Sequence, residues 1–326
     1  MKNKKGLFTL IILCTALIFY ALFLLACDNP DNNSDQIISP ASPDETVEEN
    51  TYGLDFYIRD DGTYAVAAGN AAELSNIVIP STYKGKAITK VVSNAFNGCS
   101  SLKSIVVPDS VNEIGIDAFK NCSSLTSITL PFIGASRTAN NYYDQVFGYI
   151  FGYTIIDNSY GIPGTTRQIG NYYYYIPKSL NTVIINGSET KIPDNAFTNC
   201  SSLTSVFLEN GVTSIGVYAF RNCSKITSIT ISQSLTNIYN YAFDYCTSLT
   251  SITIPDSVTR IGDAFYGCNN IQTVFYRGNK AQWENVIIDD NDEIILNNLY
   301  FYSATAPVVS GKYWHYDLDE ITPVIW

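Results

Sequence analysis

The chain has 326 residues, of which 46% are hydrophobic and only 15% are charged, and its formal net charge is −11. This composition supports a sizeable apolar core and excludes disorder over most of the chain. With one histidine and no basic cluster beyond the first five residues, the sequence excludes histidine-based catalysis and multi-histidine metal sites, and it disfavours nucleic acid as a partner.

Residues 1–26 predict an export signal, because three lysines among the first five residues precede an apolar run that ends in LLAC. A basic start, an apolar stretch and a small residue before the cleavage site are typical of such signals. The ending resembles the lipobox of bacterial lipoproteins, which implies cleavage after Ala26 and lipidation of Cys27. The run is also long enough to span a bilayer, so an uncleaved transmembrane anchor is the alternative. Either reading places the rest of the chain outside the cytoplasm.

Residues 27–51 predict a flexible tether. Residues 27–50 contain seven acidic residues, three prolines and no basic residue. Such a segment stays solvated because it has too little apolar surface to form a core. We expect the tether to span on the order of 25–30 Å and to leave the lipid anchor as the only membrane contact.

Residues 52–87 predict an N-terminal cap. Its main feature is the stretch LDFYIRDDGTYAVAA, in which two apolar runs flank Asp61 and Gly62. An Asp-Gly pair between two such runs is a strong signal for a β-hairpin. We therefore expect a hairpin to close the first end of the fold.

Residues 88–131 and 180–276 predict a repeat array. The recurring motif is Ala-Phe with a Cys three residues after the Phe, and successive cysteines are 23, 78, 23, 23 and 22 residues apart. A fixed period in this range is the signature of a solenoid. The six pairs are Phe96/Cys99, Phe119/Cys122, Phe197/Cys200, Phe220/Cys223, Phe243/Cys246 and Phe265/Cys268.

Each unit contains one short strand with one buried face. After the Cys comes the pattern L-x-x-I-x-I, seen at Leu249, Ile252 and Ile254, which alternates as a half-buried strand does. The second half of the unit, V-x-x-I-G-x-x-A-F-x-x-C, brings the chain around with its Ile, Ala, Phe and Cys inward. Seven such strands, including one that follows Leu180, would stack about 4.8 Å apart. One unit cannot close its own core and buries its faces against its neighbours.

Several unrelated positions agree in all six units, and the units resemble the leucine-rich repeats of BspA-like bacterial surface proteins, whose pattern is close to IxIPxSVxxIGxxAFxxCxSLxxI. The resemblance covers roughly residues 52–326. It implies a β-rich leucine-rich-repeat superhelix of about six 23-residue repeats with short parallel strands. It also implies exposure at the cell surface or outer membrane, and adhesion to host matrix proteins or to other bacterial cells. Ile192-Pro193, Val91-Val92 and Ile238-Tyr239 depart from the pattern, in a turn that does not affect the register.

The six repeat cysteines and their phenylalanines are predicted to form a structural core column. Each Cys holds the same place in its unit, so the thiols should stack as small buried apolar groups. Neighbouring cysteines about 5 Å apart would also be within reach of a disulfide, which is the alternative. A metal site is disfavoured, because a 23-residue spacing on one ridge does not build a tetrahedral shell.

Two outward columns on the strands form the first candidate binding surface. One holds short hydroxyls, at Ser104, Ser127, Thr182, Ser205, Ser228 and Ser251. Such residues suit any solvated strand, and a regular hydroxyl array also suits a repetitive glycan. The second column contains Phe207 and Phe275, which we predict as contacts for a protein ligand.

Residues 132–179 form an insert that carries nine of the 24 tyrosines and is the second candidate surface. Tyrosine among Gly, Asn, Ser and Thr is typical of protein-binding surfaces. The predicted contacts are Tyr142, Tyr143, Tyr172, Tyr173, Tyr174 and Tyr175. The alternative is that the insert only packs on the solenoid, because a structureless loop of this length is uncommon.

Residues 277–326 predict a C-terminal cap, with Trp283, Trp314 and Trp326 to close the core. His315 is interpreted as a cap residue because no metal or catalytic partner lies near it in sequence. The acidic run Asp289–Glu293 lacks the glycine and alternating ligands of a calcium loop and is interpreted as a solvated turn.

The sequence predicts a binding protein and not an enzyme. No motif pairs a nucleophile with a base, and none ties two carboxylates together. We expect no cofactor and no metal. The favoured function is protein binding by a lipid-anchored adhesin, with a structural scaffold as the alternative and a polysaccharide-binding or polysaccharide-degrading protein as a more distant one.

Overall fold

The computed structural model describes residues 53–141, 143–155, 166–169, 172–188, 190–209, 211–289, 293–307, 311–317 and 323–326. The predicted export signal, the tether and Cys27 lie outside these residues. Within the described part of the chain, helices are too short or too polar to cross a membrane.

Short strands dominate the secondary structure because β-branched and aromatic residues alternate with small polar ones in every unit. The strands are β1 (Asp55–Ile58), β2 (Tyr64–Ala67), β3 (Asn76–Val78), β4 (Thr82–Tyr83), β5 (Lys86–Val91), β6 (Ser104–Val106), β7 (Glu113–Ile114), β8 (Ser127–Leu130), β9 (Tyr153–Ile155), β10 (Thr166–Ile169), β11 (Tyr172–Tyr175), β12 (Thr182–Ile185), β13 (Thr190–Ile192), β14 (Ser205–Leu208), β15 (Val212–Ile215), β16 (Ser228–Thr230), β17 (Asn237–Ile238), β18 (Ser251–Ile254), β19 (Arg260–Ile261), β20 (Thr273–Tyr276), β21 (Ile287–Ile288), β22 (Leu299–Tyr302), β23 (Tyr313–Tyr316) and β24 (Pro323–Ile325). The α-helices are α1 (Lys280–Trp283) and α2 (Glu293–Asn298), and 3₁₀ helices span Gly69–Glu73 and Phe147–Phe151.

The chain folds as a leucine-rich-repeat solenoid whose strands pair with the coils before and after them, as the sequence predicted. The front sheet has the parallel order β16-β14-β12-β8-β6-β3, and the C-terminal sheet continues it with β18-β20-β22-β23-β24. The back sheet, β13-β15-β17-β19-β21, holds the second short strand of the coils from the insert onward, whereas β7 pairs with β5 in a separate N-terminal sheet, β1-β2-β5-β4. The array is longer than the seven strands expected, because β3, β22 and β23 pair in parallel without the Ala-Phe-x-x-Cys motif.

A column of phenylalanine rings runs through the interior. Phe96 and Phe119 stack at 5.5 Å, and Phe197, Phe220, Phe243 and Phe265 follow at 5.0, 5.4 and 5.1 Å. These rings have no exposed surface, and each belongs to a different coil. The period of the sequence therefore becomes a continuous aromatic core that no single coil could close.

Five of the six Ala-Phe-x-x-Cys turns contain two residues with left-handed backbone, one before the Ala and one before the Cys, and the turn at Cys268 has only the second. Asn195 and Asn199 occupy these places in one coil, at φ of 56° and 62°. Asn tolerates this conformation better than other residues with a Cβ, which explains its recurrence before the Cys. The turn lets successive coils bond through backbone groups, as where Phe197 N–H donates to Ala219 O at 2.7 Å.

The insert takes the place of one regular turn. Strand β12 pairs with β8 on one side and with β14 on the other, so Thr182 lies opposite both Ser127 and Ser205 and the register is unbroken. Phe147 and Phe151 of the 3₁₀ helix pack between Phe119 and Phe197 with tilted or edge-to-face rings and complete the aromatic column.

The predicted hairpin at the N-terminal end is present. β1 and β2 pair antiparallel, and Gly62 N–H closes the turn on Arg59 O at 2.9 Å. At the other end Trp314 is fully buried, and its indole N–H donates to Tyr276 O at 2.8 Å. Both ends of the core are thus covered by structure that differs from the repeats, as solenoids require.

Candidate functional site

The front sheet presents the predicted hydroxyl column, with Ser228 exposed and the others half-buried. Phe207 is half-buried beside Ile184 in the neighbouring column. Phe275 is only 6% exposed, because it packs between Tyr300 and Trp314 of the C-terminal cap. The prediction of Phe275 as a ligand contact is therefore wrong, since cap strands cover its ring.

The insert forms a three-stranded antiparallel sheet of order β10-β11-β9, and the tyrosine run is its central strand. Tyr143 and Tyr175 are half-buried at the surface. Tyr142 lies outside the described residues, and Tyr172 and Tyr173 are described by their backbone alone.

Tyr174 is buried, so its prediction as a ligand contact is wrong. Its ring packs on Val146 and Tyr153, and its hydroxyl donates to Tyr143 O at 3.3 Å. The backbone of Gly148 lies so close that a Cβ there would be 2.3 Å from the Tyr174 Cβ. This side chain fastens the insert sheet to the 3₁₀ helix, so the insert packs in part as well as exposing tyrosine.

A cluster of aromatic side chains on the outer turns was missed by sequence reasoning. We call it the tyrosine patch, and it consists of Tyr218, Tyr241, Tyr245, Tyr266 and Arg221. The first two rings stack at 5.2 Å, and the guanidinium lies 4.9 Å from the Tyr218 centroid. Tyr245 and Tyr266 meet edge to face and are 42% and 55% exposed. Tyr218, Tyr241 and Tyr245 stand at turn positions that the other coils fill with Asn, Asp or Gly, and this is the signal that could have revealed the patch.

An ion pair between Arg221, whose side chain is 42% exposed, and a buried carboxylate lies at the base of the patch. Asp244 is 3% exposed, and its carboxylate is 3.0 Å from Arg221 Nε. Burial raises the pKa of Asp244, the Arg221 charge opposes that shift, and nearby Asp263 adds to it. The carboxylate holds Arg221 against the tyrosine rings, which gives the patch a fixed cation among its aromatic groups.

A second feature is a groove of about 940 Å³ between the insert and the back sheet, which we call the insert groove. Phe132 and Arg137 lie on its insert side, and Lys191, Asn237 and Tyr239 lie on its back-sheet side. The groove exists because the back sheet ends at β13, next to the segment of the insert that follows β8.

One end of the insert groove is closed by a clamp of three residues. Arg137 pairs with the Asp109 carboxylate and also donates to Ser188 O at 3.2 Å. The Ser188 hydroxyl donates to Asp109 Oδ2 at 3.1 Å. Burial alone would raise the pKa of Asp109, but the Arg137 and Ser188 hydrogen bonds outweigh it and lower the pKa. The clamp joins turns that are far apart in sequence.

The six repeat cysteines are buried free thiols. Four of them donate to the phenylalanine carbonyl of the preceding coil, among them Cys223 to Phe197 O at 3.0 Å and Cys268 to Phe243 O at 2.9 Å. Burial raises the pKa of Cys122 to about 12, so the reactive thiolate is suppressed. The column therefore contributes packing and hydrogen bonds.

The predicted column of six stacked thiols is interrupted before Cys200. This cysteine is in the core, with 3% of its surface exposed, but the coil between it and Cys122 is the one that carries the insert. Pro177 takes the place of the cysteine in that coil. Leu180 N–H donates to Pro177 O just as Leu203 N–H donates to Cys200 O, both at 3.1 Å. Cys200 therefore lies in the core as predicted, but a residue without a thiol separates it from Cys122.

The C-terminal end carries a depression of about 690 Å³, lined by Asp256, Arg277 and His315 among others. The His315 ring lies 3.9 Å from the Trp326 ring and bonds Tyr316 O through Nδ1 at 2.7 Å. The described residues contain no group of three His, Cys, Asp or Glu side chains placed to hold a metal ion. Asp290 to Asp292 of the acidic run lie outside them.

The sequence profile of the BspA type leucine-rich repeat region matches residues 67–149 and 167–294, in six copies. The matched segments include every Ala-Phe-x-x-Cys motif and part of the insert. They make up more than half of the chain. No curated protein matches the sequence significantly.

Three solved structures of leucine-rich repeat proteins are similar to this chain at low sequence identity. A T. pallidum leucine-rich repeat protein is 20% identical over 68% of this chain and 78% of its own, with a TM-score of 0.36. A leucine-rich cell surface protein of Faecalibacterium prausnitzii is 20% identical over 81% and 99%, with a TM-score of 0.31. A leucine-rich repeat protein of Bacteroides ovatus is 21% identical over 78% and 72%, with a TM-score of 0.30.

Proposed function

Since this chain belongs to the family of BspA-type leucine-rich repeat proteins, we propose that it is a protein-binding module displayed outside the cytoplasm. The proposed role is adhesion to extracellular-matrix proteins or to the surface of other cells. The solenoid would act as a rigid rod whose regular core leaves the turns and the insert free to vary. Repeat proteins use such extended surfaces to bind other proteins.

The tyrosine patch is the observation that carries this proposal. Tyrosine and arginine are enriched among the residues that dominate protein–protein binding energy. Here they are preorganised, because the ion pair with Asp244 holds Arg221 and ring stacking holds Tyr218. Preorganised aromatic groups lose little conformational entropy on binding. Phe207 on the front sheet remains a proposed contact, as do the insert tyrosines Tyr142, Tyr143, Tyr172, Tyr173 and Tyr175.

A binding measurement with one double variant and one single control variant tests the proposal. The full chain, purified in mild detergent and immobilised, is exposed to a panel of purified extracellular-matrix proteins and to whole bacterial cells. We expect saturable binding to at least one of them. The double change Tyr245→Ala and Tyr266→Ala should weaken that binding at least about tenfold, which is about 1.4 kcal/mol.

Tyr57→Ala is the matched control, since this tyrosine is 51% exposed but lies on β1, far along the chain from the patch. It should leave the affinity unchanged. Binding that survives the patch variant, or no saturable binding to any matrix protein or cell, would contradict the proposal. Concentration-dependent self-association without a ligand would favour the scaffold alternative.

We also propose that the protein is held at a membrane by lipid on Cys27, with the acidic segment after it as a tether. The sequence LLAC and the basic start support this proposal. Metabolic labelling with a radioactive fatty acid should mark the wild-type chain and not the Cys27→Ser variant. Equal labelling of both chains would overturn the lipid anchor.

A further inference from the structure

The insert groove is a cleft that the protein-binding proposal does not use. Lys191, Ser214 and Asn237 form a row on three adjacent strands of the back sheet, in register with one another. The insert provides the facing wall, and the clamp of Asp109, Arg137 and Ser188 closes one end. A volume of about 940 Å³ is within the range of sites that hold small ligands.

The lining of the groove is rich in uncharged hydrogen-bonding groups. Hydroxyls and amides are contributed by Ser136, Ser188, Thr190, Thr213, Ser214, Thr236, Gln145 and Asn237. Its charged groups balance, since two carboxylates accompany one arginine and one lysine. Asp109 is paired with Arg137, and the Asp194 carboxylate accepts the Val217 N–H at 2.7 Å. Such a surface favours a ligand with many hydroxyls and no net charge.

The direction of the groove favours an extended polysaccharide over an extended peptide, because the two polymers have different repeat lengths. The groove crosses β13, β15 and β17, so a chain lying in it meets equivalent side chains once per strand, about every 4.8 Å. An extended peptide repeats on one face about every 6.6 Å, and it would lose this register within two strands. One sugar residue of an extended polysaccharide has a length close to the spacing between strands, so each ring would meet one strand.

Tyr239 supplies an aromatic surface at the far end of the groove. It follows β17 directly, stands where three other coils have Gly, and is 41% exposed. An exposed tyrosine ring offers an apolar face and a polar hydroxyl together, which suits the mixed surface of a sugar. The net charge of −11 over the whole chain would repel an acidic glycan.

We propose that the insert groove binds a neutral polysaccharide, which crosses β13, β15 and β17 and stacks one sugar ring on Tyr239. The clamp keeps the two walls in place before the ligand arrives, because Arg137 bonds both the Asp109 turn and the Ser188 turn. Binding therefore needs no closure of the groove. This site is separate from the tyrosine patch and depends on different side chains.

Affinity electrophoresis of the full chain in native gels tests the proposal, since the acidic protein migrates well. The gels contain mixed-linkage β-glucan, xylan or galactomannan as neutral probes, and polygalacturonate as an acidic one. We expect at least one neutral probe to retard the chain and polygalacturonate to have no effect. Tyr239→Ala should raise the dissociation constant about tenfold, which corresponds to about 1.4 kcal/mol. Asn237→Ala should weaken retardation in the same direction.

Tyr266→Ala is the matched control, because it removes a tyrosine that lies outside the groove and is, at 55%, somewhat more exposed than Tyr239. It should leave retardation unchanged, while Tyr239→Ala should leave binding to matrix proteins or cells unchanged. No retardation by any neutral probe overturns the proposal. The proposal is also overturned if Tyr239→Ala leaves the retardation intact or if Tyr266→Ala abolishes it. Equal retardation by polygalacturonate would overturn it as well. Thermal unfolding of each variant checks that the loss is not one of folding.

Discussion

The regular coils and the coil that carries the insert build the same interior from different sequences. In a regular coil, Phe220 follows a turn of fixed length and stacks on Phe243 at 5.4 Å. In the insert coil, Phe147 reaches the same column from a 3₁₀ helix and lies 4.7 Å from Phe197. The insert coil has no cysteine, yet the front strands on either side of it pair in register.

This difference separates what the fold requires from what it only tolerates. Strand register and a filled aromatic column are kept in both kinds of coil. The thiol is present in the regular coils, and the insert coil replaces it with Pro177 before Cys200. Variation on the outside, in the tyrosine patch and the insert groove, is therefore compatible with a constant core, as nearest-neighbour stacking allows.

The largest expected effect on stability comes from removing one phenylalanine ring of the aromatic column, in a regular coil and in the insert coil. Phe220→Ala and Phe151→Ala each remove a fully buried ring. We expect each to lower the free energy of unfolding by about 3–5 kcal/mol, through lost burial and a residual cavity. Urea unfolding of the full chain, followed by circular dichroism, measures both. The two costs should agree within about 1 kcal/mol if the insert coil belongs to the core.

Phe207→Ala provides the matched control, since this ring is half-buried on the front sheet. It should cost clearly less than either column variant. A small cost for Phe151→Ala beside a large one for Phe220→Ala would show that the insert packs on the solenoid without completing it.

The next effect tests the point where the insert coil returns to the regular array. A Cβ on Gly187 would lie 1.7 Å from Pro131 O, so Gly187→Ala forces two backbone segments apart. We expect a loss of about 2–3 kcal/mol and faster proteolysis within the insert. Gly85→Ala is the control, because it has no atom within 4 Å and only its positive φ is strained. It should cost about 1 kcal/mol and leave the insert protected.

A smaller effect is expected from the thiols that only the regular coils contain. Cys223→Ala removes a buried thiol and its hydrogen bond to Phe197 O, and should cost about 1–2 kcal/mol. Cys223→Ser keeps a donor of similar size and should recover part of the loss. Alkylation of the folded chain should be slow at all six repeat cysteines and complete after unfolding. Rapid alkylation of the folded chain would show that the column is open to solvent.

The sequence was sufficient for the period, the inward residues and the hairpin, because these depend on local spacing. Ile252 and Phe265 lie inside as their positions in the unit predict, and the leucine-rich-repeat fold is confirmed. The C-terminal end of the array was harder to predict from the sequence, since β22 and β23 join the array without the motif that identifies a repeat.

The candidate sites were less predictable because they depend on contacts between distant turns. Asp109, Arg137 and Ser188 are close only in the folded chain. Their spacing along the sequence therefore does not predict the insert groove. Tyr174 has the same composition signal as its neighbours, and only the packing on Gly148 shows that it is buried. Tyr218 and Tyr241 form a pair only because the stacking of adjacent coils brings their rings together.

The smallest expected effect is the change of stability with pH that comes from two carboxylates with opposite pKa shifts. The pKa of Asp109, in the clamp, is lowered below its ordinary value of 3.8, and that of buried Asp244 is raised above it. The clamp therefore adds stability above about pH 4 that is lost as the pH falls through the depressed pKa. Asp244 does the reverse, because its charge becomes unfavourable as the pH rises from the unfolded value towards the raised one.

Hydrogen exchange between pH 3 and pH 6 measures this contrast locally. Acidification should open the insert before the regular coils, because the clamp weakens while Asp244 becomes easier to bury. After correction for the intrinsic pH dependence of amide exchange, Asp109→Asn should make the protection of the insert independent of pH at a cost below about 1 kcal/mol, since half-exposed ion pairs contribute little. Asp244→Asn should leave the insert unchanged and remove the loss of stability with rising pH at the tyrosine patch. If acidification opened the regular coils first, the clamp would not be what holds the insert against the solenoid.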